Sequence, residues 1–172
     1  KSIGTSGTGY EINTDLFPDM VSFLQDANDM GVNVMFNDHP APSRDDGTGE
    51  ERIAIDSDEV KFRFDNLTHI LGLGLEGWWY DRNWSTTIKA PEGFTHEAIG
   101  ASIYSYAQKA VYPDKRLFMM SNVDGSSNGV DIGAPDVAQH RYGITWTGDI
   151  GGHQETLQDE LEFTVQYGAI AG

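Results

Sequence analysis

Two aspartates stand where a short apolar, tryptophan-bearing run gives way to polar residues. Asp81 closes Gly77-Trp78-Trp79-Tyr80-Asp81, and Asp149 closes Gly143-Ile144-Thr145-Trp146-Thr147-Gly148-Asp149. Aromatic faces beside fixed carboxylates are what pyranose rings pack against and hydrogen-bond to. Glycosidic bond cleavage uses such a pair of carboxyl groups, ~5–5.5 Å apart when configuration is retained and ~6.5–9.5 Å when it is inverted. Two more polar clusters end similar runs: Asn37-Asp38-His39, and Ser121-Asn122-Val123-Asp124. Aspartates at such places also cap helices and complete turns, so spacing alone leaves a purely structural role open.

The elements that must carry these residues follow from periodicity. Pro18 in a first helical turn, apolar residues at Met20, Val21, Phe23, Leu24, Ala27 and Met30, and a stop at Gly31 predict a helix over 18–30. The β-branched and aromatic run Val32 to Phe36 predicts a buried strand. A polar excursion over 41–58 follows, with Ile53-Ala54-Ile55 as an edge segment. Val60 to Phe64 alternates like a short strand, and Asn66 to Leu75 reads as a short, glycine-interrupted helix. The next expectations are a strand over 77–81 and a helix capped by Thr95, buried along Ala98, Ile99, Ser102, Ile103, Tyr106, Ala107, Ala110 and Val111 and closed by Pro113. They are followed by a strand over 116–121, a short helix over 135–140, a strand over 143–149, and a helix over 154–167 with Leu157, Leu161 and Val165 on one face. Strands alternating with helices imply an α/β fold with a parallel sheet, whose functional residues gather at the carboxyl tips of the strands.

Composition bounds the partners. The 172 residues are 38% hydrophobic and 22% charged, which fits one globular domain with a real core. A complete (β/α)₈ barrel needs about 250 residues. The net charge of −16 repels phosphate backbones and anionic lipid surfaces, so neither nucleic acid nor membrane is an expected partner. No apolar run of about 18 residues is present. With no cysteine there is no thiolate metal site and no thiol nucleophile. Cellular location stays open.

The words around Asp81 and Asp149, the latter introduced by His140-Arg141-Tyr142, together with Leu16-Phe17-Pro18-Asp19 and Asn37-Asp38-His39-Pro40, make the chain resemble glycoside hydrolase family 31, which contains α-glucosidases and α-transglucosylases. The resemblance runs through nearly the whole chain, in the family's order. It implies part of a (β/α)₈ TIM barrel, approximately strands three to six with their helices, and hence a single partial domain over 1–172 from a longer polypeptide. By the same resemblance, Asp81 matches the nucleophile that forms a covalent glycosyl-enzyme and Asp149 the general acid/base, with Trp146 as an aromatic wall. Trp79, Arg141, Asn122, Asp38 and His39 complete the expected substrate contacts. The implied activity is retaining hydrolysis or transfer on α-linked gluco-oligosaccharides, without cofactor or metal. The implied partners are that substrate and either the remainder of the barrel or another copy of the chain. Arg82 and Trp84 stand where the family commonly has Met and Glu, and Asn122 where it has a sugar-binding arginine. The tip of the fifth family strand, Ser121 to Gly125, and the long loop to Gly133 resemble more closely the branch of cycloalternan-type isomaltosyl-transferring enzymes. A non-catalytic carbohydrate-binding or scaffold piece is the alternative from another class.

The remaining residues carry blander expectations. His39 is a substrate contact or strand-end lock rather than a metal ligand, and His153 belongs to a helix start. Arg141 pairs with a carboxylate. The acids Asp45, Asp46, Glu50, Glu51, Asp56, Asp58 and Glu59 lack calcium-loop spacing and read as a solvated surface. Leu71-Gly72-Leu73-Gly74-Leu75 precedes its strand, so it is not a dinucleotide-binding turn. The sequons at Asn66 and Asn83 carry no conclusion about secretion.

Overall fold

The computed structural model describes residues 10–38, 57–81, 92, 96–116, 118–122 and 144–146, together with 154, 157, 158, 160, 161, 164 and 165. Helix α1 spans Met20–Asp29, two residues later than proline placement alone predicts. The reason is Asp19, whose extended backbone and carboxylate make it the N-cap, accepting from the Ser22 amide at 2.9 Å. Gly31 ends the helix as expected, at φ +76°, and the Val32 amide bonds back to the Ala27 carbonyl at 2.9 Å. That amide is consumed by the helix stop, so strand β1 begins late, at Met35–Asp38 rather than at Val32.

Helix α2, Ser57–Gly72, corrects two expectations at once. The alternating stretch 60–64 and the expected short helix from 66 form one continuous helix of 16 residues. Its buried stripe is Glu59, Arg63, Leu67, Ile70 and Leu71. The first turns of that stripe are charged, so apolar periodicity does not reveal them. Glu59 is wholly buried rather than part of a solvated acidic surface, and its Oε1 accepts from Arg63 Nε at 3.0 Å. Asp58 is exposed, as expected.

Strand β2, Gly77–Tyr80, helix α3, His96–Val111, and strands β3, Phe118–Asn122, and β4, Ile144–Trp146, follow in the expected order. Ala101, Ile103, Tyr104 and Ala107 of α3 are buried, while Tyr106 and Ala110, expected on the same face, are exposed. The expected edge segment at 53–55, the Thr95 cap and the short helix over 135–140 lie outside the described residues. Helical residues at 154, 157, 158, 160, 161, 164 and 165 fall within the expected closing helix. Its apolar stripe faces outward: Leu157, Leu161 and Val165 are 60%, 58% and 72% exposed.

The four strands form a parallel sheet in the order β1-β2-β3-β4, so the fold is α/β, as the alternation of elements implies. Parallel neighbours need crossover connections, and α2 and α3 supply them for β1 to β2 and β2 to β3. Met20 and Leu24 of α1, Leu67, Ile70 and Leu71 of α2, and Ile103, Tyr104 and Ala107 of α3 share one core with Phe36, Trp78, Tyr80 and Met119 of the sheet. All three helices therefore cover the same face. Trp78 is the centre of this core, with edge-on ring contacts to Tyr10, Phe36 and Tyr104. Alternation turns Met35, Asn37, Trp79, Phe118 and Met120 to the opposite face.

Candidate functional site

The parallel ladder between β1 and β2 runs to their tips. The Asp81 amide donates to the Asp38 carbonyl at 2.8 Å, one of the slanted bonds that make the last pair of the ladder, Asp38 with Tyr80. Asp81 is thereby fixed as the next residue of the row. Tyr80 faces the helices, so Asp81 turns to the opposite face, where Asn37 Nδ2 donates to Asp81 Oδ2 at 3.1 Å. Asp81 is 5% exposed, and Trp79, two residues before it on the same face, is half-buried.

Asp38, the neighbour of Asn37, turns to the helix side. Its Oδ2 accepts from the Tyr10 hydroxyl at 2.9 Å and from the Tyr104 hydroxyl. Arg63 Nη1 donates to the Tyr10 oxygen at 3.1 Å, and the Arg63–Glu59 pair lies behind it. Tyr104 also stacks on Tyr80, with ring centroids 5.4 Å apart. Burial, followed by the facing Asp38 charge, pushes both phenols well above their ordinary range. They stay protonated and keep donating to Asp38. The tip of β1 therefore has two roles by parity: Asp38 anchors it to the helices, and Asn37 reaches the Asp81 carboxylate.

Register extends the row sideways. Tyr80 pairs with Ser121, and Asn122 pairs with Trp146. Asp81, Asn122 and Trp146, each at a strand tip, thus fall on one level of three neighbouring strands. At a strand spacing of about 4.8 Å, the backbone at Asp81 and at Trp146 is separated by about 10 Å. Asp149, His39 and Arg141 lie outside the described residues, as do His153 and the acids at 45–56. Of the expected site residues, Asp81 and Trp79 share one face, Asp38 lies on the other, and Asn122 and Trp146 hold tip positions in the same row.

Asn37, Tyr10, Tyr104, Arg63 and Glu59 were not among the expected site residues. The i,i+4 spacing of Glu59 and Arg63 was a readable signal, and so was the parity that separates Asn37 from Asp38. Nothing in the sequence around Tyr10 marks it as a partner of residues 28 and 53 positions away. An apolar groove of about 780 Å³ lies between α2 and α3, lined by Val60, Phe64, Ile103 and Tyr106 among others, and none of the expected site residues lines it. Among the described residues, no three His, Asp or Glu side chains cluster as metal ligands, and no helix is long and apolar enough to cross a membrane. The chain matches no known family model and no curated protein.

Proposed function

We propose that this chain forms the central arc of a (β/α)₈ barrel and works as a retaining α-glycosidase or transglycosylase of the family 31 type on α-linked gluco-oligosaccharides. The Asp81 carboxylate attacks the anomeric carbon. As that bond forms, the bond to the bridging oxygen breaks, and Asp149 gives the leaving oxygen its proton. Water or an acceptor sugar, deprotonated by Asp149, then displaces the aspartyl ester. The observation that carries the reading is Asp81 itself: a carboxylate at a parallel-strand tip, on the face away from the helices, held by Asn37 and level with Asn122 and Trp146. The sequential strand order with α1, α2 and α3 on one face supports the barrel arc, since a doubly wound sheet reverses its order and covers both faces.

The test is covalent trapping in the intact protein with 5-fluoro-α-glucosyl fluoride, followed by peptide mapping. Label on Asp81 is the expected result. Saturable oligosaccharide binding with no label on any residue would instead assign the carbohydrate-binding role. Asp149→Ala is expected to slow substrates with poor leaving groups ~10²–10⁴-fold, to spare activated fluorides in the first step, and to recover with added azide. Uniform slowing without recovery would remove Asp149 from the acid/base role.

A further inference from the structure

We propose that Asn37 is a positioning residue for Asp81, an inference that rests on the glycosidase reading above. An ionised carboxylate only accepts, so the 3.1 Å contact to Oδ2 requires the Asn37 amide to present its NH₂ group. That contact fixes rotation of the Asp81 carboxyl group about its Cβ–Cγ bond. The adjacent backbone bond, Asp81 amide to Asp38 carbonyl, fixes the main chain beneath it. Two consecutive residues of β1 therefore hold the residue that follows β2 at both its backbone and its side chain. Asp38 itself is tied to Tyr10 and Tyr104, so the donor stands on a strand tip that is anchored from behind. A neutral donor suits a nucleophile. An arginine or lysine at the same place would pair its charge with the carboxylate and blunt the attack, whereas an amide aims the oxygens and leaves the negative charge in place.

The experiment compares Asn37→Ala and the isosteric Asn37→Asp with the unchanged intact protein, using the inactivation kinetics of the same fluoro-glycoside. If the unchanged protein is labelled at Asp81, the reaction reading stands, and the variants test the positioning role alone. Both variants should then lower the maximal inactivation rate constant ~10–100-fold with little change in reagent affinity, because a misaimed nucleophile binds but does not attack. Asn37→Asp should also move the acid limb of the pH profile upward, since two carboxyls about 3 Å apart share a proton rather than both ionise. Asn37→Leu, of similar size but without a donor, separates positioning from space-filling: labelling at the unchanged rate there overturns the proposal, even if Asn37→Ala fails to fold. Absence of label in the unchanged protein overturns the reaction reading and, with it, this inference.

Discussion

Asp38 shows how one residue step separates the two faces of the sheet. The resemblance assigns it to substrate, yet its carboxylate accepts from two buried phenols on the helix side of the sheet. Those phenols have a measurable consequence. In an unfolded chain tyrosine ionises near pH 10, while burial and the Asp38 charge hold Tyr10 and Tyr104 neutral well beyond that point. Because the folded values are raised, the stability contributed by the pair is fully present below about pH 10 and is lost as pH climbs toward the folded values. An absorbance titration of tyrosinate should show these two tyrosines ionising together with unfolding, after the exposed ones. Tyr104→Phe keeps the stacked ring but removes the donor to a charged acceptor, and should cost about 1.5–3 kcal/mol in denaturant unfolding. A variant as stable as the parent would show that the hydroxyl bond contributes nothing.

At the scale of elements, what could be read in advance was whatever announces itself through apolar spacing and helix stops. Gly31 ended α1 where expected, and the aromatic run before Asp81 became β2. Helix α2 failed that reading because its stripe begins with an ion pair, Glu59 and Arg63, both almost wholly buried. Removing one partner strands the other, so Glu59→Ala is expected to cost about 3–5 kcal/mol. Replacing both by Leu and Met should cost less than the two single changes added together, and an additive double variant would mean that the charges do not act as a pair. Gly77 makes a second demand that composition conceals. A Cβ built there would lie 2.5 Å from the Phe118 carbonyl oxygen, a backbone atom that cannot rotate away. Gly77→Ala should therefore push β2 and β3 apart and lower stability by about 1–3 kcal/mol, seen as a lower thermal midpoint. The strand tips were legible as polar words after apolar runs. Their sidedness was not, because it depends on registers that only long-range pairing fixes: Phe36 with Trp78, and Trp78 with Met119.

For the whole molecule, the arrangement is one-sided. The helix face is filled by Trp78, Tyr80, Tyr104 and the leucines of α2, whereas Phe118 on the other face is 54% exposed and the stripe Leu157, Leu161 and Val165 is more open still. Among the described residues, β1 and β4 each pair along one edge. Unpaired edges and exposed apolar stripes are liabilities that further strands and helices remove. The barrel reading makes a specific demand here. In the intact protein β1 and β4 must each pair on the second edge as well, so their outward-facing backbone amides become ladder donors. Hydrogen exchange resolved to single amides should then show slow exchange on both edges of Met35–Asp38 and Ile144–Trp146, comparable to the central strands β2 and β3. Fast exchange confined to the outer edges would mean that the sheet ends at four strands. The Asp81 row would then lie on an open sheet face rather than at the mouth of a closed barrel, and a sugar ring would be held from one side of the sheet.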